Sequence, residues 1–139
     1  MITSLLLIHA AATLIMVGVI WVIQLVHYPL FALVGRENFT AYERSHTLRI
    51  GVIVIPTMLV EAITAAGLVI FVGGAAPLSG ALLLVIIWGS TWGLQVPCHE
   101  RLAVQFDEGA WRRLVRTNWI RTVGWTVRGV IALALLLLV

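Results

Sequence analysis

Three histidines and one carboxylate, His27, Glu43, His46 and His99, are the side chains of this chain best suited to hold a metal or move a proton. Imidazole titrates near neutral pH, so His27 or His99 is a candidate general base. Imidazole together with carboxylate also suits iron, zinc or copper. Glu43-Arg44-Ser45-His46 has the Glu-x-x-His spacing that ligates metals inside helix bundles, although a di-iron site would want more carboxylates at that depth. A haem held by His27 with His46 or His99 is a second metal-centred expectation. The bland alternative is three interfacial histidines hydrogen-bonded to loops and headgroups. Arg121 beside Asn118 offers a planar fork of donors for a carbonyl or anionic oxygen. A topology arginine reaching for headgroups would read the same way. Trp88, Trp92 and Trp125 could wall a flat aromatic ligand, though core packing and the aromatic belt are the ordinary uses of tryptophan. Glu61 stands apart, because a carboxylate in the middle of a membrane span is functional by default.

The elements that position these residues are membrane helices. The chain has 139 residues, of which 61% are hydrophobic and 11% charged, against about 25% charged in a soluble domain. A bilayer crossing takes about 20 apolar residues. The hydropathy pattern predicts spans over roughly 5–33, 45–72, 80–96 and 118–139, in one all-α domain. Short connections favour antiparallel neighbours, hence an up-down-up-down four-helix bundle. Pro29 weakens the end of the first span and Pro56 is an expected kink in the second. Residues 35–44 read as a charged loop and 73–79 as an uncharged turn. The second charged loop, 99–117, carries an expected short surface helix after Asp107-Glu108.

All nine basic residues are arginines, which excludes lysine Schiff-base chemistry. They cluster at the two charged loops and are absent from the middle linker, so they read as topology signals rather than a nucleic-acid surface. The positive-inside rule then places both loops in the cytoplasm and both termini outside, in an expected bacterial inner membrane. No basic residue precedes the first apolar run, which argues against a cleaved signal peptide. Cys98 alone allows no internal disulfide and no cysteine-based zinc cluster.

Laid on a wheel of 3.6 residues per turn, each span shows one polar stripe. The first carries Thr13, Ile20, Gln24, His27 and Phe31. The second carries Glu43, His46, Ile50, Thr57, Glu61 and Thr64. The third carries Trp88, Thr91, Trp92, Gln95 and His99, and the fourth Asn118, Arg121, Trp125 and Arg128. Polar groups avoid lipid, so the stripes should face inward and form either a hydrogen-bonded core or a ligand cavity. Depth places His27, Glu43, His46, His99, Asn118 and Arg121 in one layer near the charged loops. Glu61 lies about 22 Å beyond His46, and Arg128, about 10 Å deeper than Arg121, is its nearest candidate partner, at a rise of 1.5 Å per residue.

Gln95-Val96-Pro97-x-His99-x-x-Leu102, Trp111 and Asn118-x-x-Arg121-Thr122 resemble the anthrone-oxygenase-like family of small four-helix membrane proteins. The match covers the last third of the chain and is weak in the first half. His99 departs from the family pattern, where asparagine is common. The resemblance implies oxidation of polycyclic aromatic anthrones to anthraquinones with oxygen, with no agreed cofactor. The expected function is therefore oxidoreductase or oxygenase-like chemistry on a hydrophobic aromatic or quinone-like molecule taken from the bilayer. The expected catalytic residues are His27, His99, Arg121 and Glu61, with Gln24, Trp92, Gln95, Asn118 and Trp125 around the substrate. Iron or haem on His27, Glu43, His46 and His99, or cofactor-free oxygen chemistry, would complete it. Two alternatives stand beside this reading. One is a non-enzymatic haem-, quinone- or lipid-binding subunit of a larger membrane complex or homo-oligomer. The other is a small proton-coupled transporter using Glu61.

Overall fold

A computed structural model, describing residues 1–137, folds as four antiparallel helices, each long and apolar enough to cross a membrane. These are α1 (Ile2–Leu33), α2 (Arg36–Phe71), α3 (Ala75–Leu102) and α4 (Glu108–Leu136). They pack as a ring in which α1 lies against α2 and α4, and α3 lies against α4. The contact between α2 and α3 is the sparsest side of the ring. The surface is inverted relative to a soluble bundle. Leu7, Ile15, Leu25, Val52, Ile63, Val85 and Val130 are exposed, while Glu43, Glu61, Gln95, Asn118 and Arg128 are buried. This is the pattern a lipid solvent imposes, because unsatisfied polar groups are costly there and apolar ones are not.

The helices outrun the expected spans at the arginine-bearing end. Residues 36–44, expected as a loop, form the first turns of α2, and the expected surface helix after Asp107 is continuous with α4. Asp107 caps α4 by accepting from the Ala110 amide at 3.0 Å. Hydropathy measures the stretch inside hydrocarbon, not the helix, and α2 and α4 continue past it through charged residues. The expected end of the fourth span falls on residues 138–139, outside the described residues. At the other end Gly73 and Gly74 take φ of +69° and +87°, a left-handed turn that glycine makes without a Cβ clash.

Two π-helical segments interrupt the bundle at one level. Ile23–His27 lies in α1 and Thr91–Gln95 in α3. Each ends two residues before a proline, Pro29 and Pro97. A proline donates no amide hydrogen bond and its ring clashes with the carbonyl four residues back, here Leu25 and Gly93. Both carbonyls fall inside the widened turns. A π segment adds a residue to the turn and rotates everything after it. Downstream of the α1 segment, Tyr28 points into the core and His27 is only half-buried, although the regular wheel puts His27 inward.

Candidate functional site

The polar layer expected near the charged connections is present. His27 Nε2 and His46 Nδ1 lie 2.7 Å apart, joining α1 to α2. His99 Nδ1 lies 2.5 Å from Glu43 Oε1, joining α3 to α2. The other ring nitrogen of His99, Nε2, is 2.9 Å from the Tyr28 hydroxyl on α1. With the His99 Nδ1–H donated to the carboxylate, Nε2 carries the lone pair and accepts from the phenol. This is the orientation that a carboxylate–histidine–hydroxyl triad requires.

The residues expected to hold a metal bond to one another in this structure. The set His27, Glu43, His46 and His99 is divided into two hydrogen-bonded pairs. Among the described residues no group of three His, Cys, Asp or Glu side chains is arranged to hold an ion. A haem between two histidines needs its ligand nitrogens roughly 4 Å apart, twice a metal–imidazole bond of about 2.0 Å. In this structure the facing nitrogens of His27 and His46 lie 2.7 Å apart and are hydrogen-bonded to each other.

The inward stripes pack against one another as a hydrogen-bonded core. Gln24 Oε1 accepts from Asn118 Nδ2 at 2.9 Å and from Thr122 Oγ1 at 3.4 Å, while Gln24 Nε2 donates to the Val115 carbonyl at 3.2 Å. Gln95 accepts from Ser90 at 3.0 Å and donates to Thr117 at 3.0 Å. The Ser90–Gln95 bond spans five residues, the spacing of the π turn between them. Gln24, Gln95 and Asn118, expected around a substrate, therefore satisfy neighbouring helices. Trp125 is fully buried, with its indole N–H on Glu61 Oε2 at 2.8 Å. Trp92 is 67% exposed on the outside of α3, so Trp92 and Trp125 do not face each other across a ligand. The regular wheel misplaced Trp92 because Ile87 and Ser90 form the inward face before the π segment.

Arg121 is buried, stacks over the Trp125 ring at 5.3 Å, neighbours the Tyr28 phenol, and leaves its Nε without an acceptor. Among the described residues no carboxylate pairs with it. Deeper, Glu61 Oε1 meets Arg128 Nη2 at 3.2 Å, and Arg128 Nη1 donates to the Gly80 carbonyl. The expected neutraliser of Glu61 is thus in place, because the long arginine side chain spans the difference in backbone depth. His9, on the same half of the bundle, bonds Thr64 at 2.8 Å.

Open space lies on the outside of the bundle. A groove of about 600 Å³ runs between α1 and α2. Its walls include Gly18, Val19, Val22, Ile50 and Ile53, and its polar end is formed by His27, Tyr42, Ser45, His46 and Arg49. A second groove of about 550 Å³ follows the loose α2–α3 seam, lined by Ala62, Ala66, Ala81, Trp88 and Trp92. Sequence reasoning missed Tyr28 as a site residue and Arg49 as part of a groove. The i,i+4 spacing of Tyr28 from the inward Gln24 was the available signal for the first.

No family model, no characterised protein and no solved structure matches this chain.

Proposed function

We propose that the protein takes a hydrophobic phenol-, enol- or quinone-type molecule from the bilayer into the α1–α2 groove and acts on it as an oxidoreductase. The observation that carries this reading is the His27–His46 pair at the polar end of a groove whose remaining walls are apolar. Its volume suits a ligand of a few fused rings. The lateral opening suits a molecule that partitions into lipid.

The paired imidazoles supply the chemistry. His27 and His46 share one hydrogen bond, so each has a second nitrogen left to serve an occupant. One of them accepts the proton of a phenol or enol. Arg49 at the same end favours the oxyanion that remains. The resulting enolate is electron-rich and easier to oxidise. For an anthrone, dioxygen replaces the two hydrogens of the ring methylene by one oxygen and carries the other oxygen away as water. The resemblance to the anthrone-oxygenase-like family supports this substrate class. It places Asn118 and Arg121 in a shared motif, where they brace the core behind the site. The positive-inside distribution of arginines supports a groove whose polar end lies on the cytoplasmic side.

The test uses the full chain in lipid nanodiscs supplied with anthrone. Oxygen uptake and the absorbance of the quinone product are followed. Turnover that disappears in His27→Ala and His46→Ala proteins of normal fold supports the reading. Turnover that is absent from the wild type, or unchanged in both variants, overturns it. Tight quinone binding without turnover instead supports a quinone-binding subunit.

A further inference from the structure

Tyr28 has a use that substrate binding in the groove does not explain. Its side chain is 2% exposed and lines neither groove. A group so enclosed cannot touch a substrate, but it can exchange an electron without contact. Its proton also has an internal destination. The hydroxyl lies 2.9 Å from His99 Nε2, and His99 Nδ1 lies 2.5 Å from Glu43.

We propose that Tyr28 is a redox-active tyrosine, giving one electron to an organic radical in the α1–α2 groove and its proton to His99. The oxidant is by class a phenoxyl or peroxyl radical. In the step, the electron leaves the phenol and reduces that radical to its anion. The O–H bond of Tyr28 breaks and an N–H bond forms at His99 Nε2. The products are a neutral phenoxyl radical on Tyr28 and an imidazolium on His99.

The charges around the pair favour coupling of the two transfers. Arg121 beside the phenol opposes a tyrosine radical cation, so electron loss without proton loss is disfavoured. Glu43, fully buried, stands against the imidazolium that proton transfer creates. Cys98, His27 and His46 are the further ionisable side chains near the triad, and the His46 ring lies 5.7 Å from that of His99 and 6.1 Å from that of Tyr28. The rings of His27 and His46 line the groove and sit 6.5 Å and 6.1 Å from that of Tyr28. An occupant touching the histidine pair is therefore about one ring away from the tyrosine.

The experiment needs no substrate. The chain has two tyrosines, so Tyr42→Phe leaves Tyr28 alone. Full-length protein with ring-deuterated tyrosine is oxidised by photogenerated tris-bipyridyl ruthenium(III), and electron paramagnetic resonance identifies the radical. A tyrosyl radical is expected in Tyr42→Phe and is expected to be absent in Tyr28→Phe. Its formation should slow in deuterated water. It should also slow about tenfold or more in His99→Gln, the scale of one hydrogen bond to a charged group. Glu43→Gln, which keeps an acceptor for Nδ1–H but removes the charge, should slow it less. A radical confined to Tyr42 or to tryptophan overturns the proposal. So does formation by Tyr28 that is indifferent to solvent deuterium, a result that stands even if His99→Gln does not fold. Loss of anthrone turnover in the groove variants would leave this outcome untouched.

Discussion

Arg128 on α4 reaches Glu61 on α2 across the centre of the bundle, guanidinium nitrogen to carboxylate oxygen at 3.2 Å. Both side chains are buried, and Glu61 also accepts from Trp125. Both carboxylate oxygens are thus engaged, which ties α2 to α4 diagonally. Breaking such a pair leaves an uncompensated buried charge. Arg128→Met should therefore lower the free energy of unfolding by about 3–5 kcal/mol, and adding Glu61→Leu should recover most of the loss. Detergent-titrated unfolding followed by circular dichroism measures both. A single variant as stable as the wild type would show that the pair does not hold the helices.

Gly124 on α4 faces Ile87 on α3 so closely that a Cβ there would lie 2.9 Å from Ile87 Cγ1. Gly124→Ala should cost about 1–3 kcal/mol by overpacking. Ile87→Val in the same chain should return part of it by removing the Cδ1 carbon at 3.1 Å. Equal stabilities of the single and double variants would place the strain elsewhere.

Gly18 differs, since a Cβ added there meets nothing within 4 Å and the residue lines the α1–α2 groove. Gly18→Leu should fill part of the groove while changing stability by no more than about 0.5 kcal/mol. Quinone affinity in nanodiscs, measured by fluorescence quenching, should fall. Full affinity in a well-folded Gly18→Leu protein would move the binding site away from this groove.

Gln24 joins α1 to α4 through Asn118, Thr122 and the Val115 carbonyl. Gln24→Leu leaves the Asn118 amide without its acceptor and should cost about 1–3 kcal/mol. Gln24→Leu with Asn118→Leu should be closer to the wild type than the two single losses summed. Additive losses by thermal unfolding would show that the two amides do not act as a pair.

The sequence by itself determined the membrane class, the four spans and the two depths at which polar residues gather. Those properties are summed over many residues, and lipid enforces them locally: each span must be apolar, and each polar group must turn inward. It also placed His27, Glu43, His46 and His99 in one layer, because depth follows from counting residues along a helix. Three things were left to the tertiary structure. The π segment before Pro29 shifts the helical register, so Tyr28 turns into the core and His27 turns toward the groove. A wheel with a fixed period cannot contain such a shift. The partners within the layer depend on side chains from different helices meeting, as His99 meets both Glu43 and Tyr28. Whether inward polar stripes enclose a cavity depends on how well they fill one another's space. Here Gln24, Gln95, Asn118 and Arg128 fill it, and the open volume lies outside, between α1 and α2 and along the α2–α3 seam.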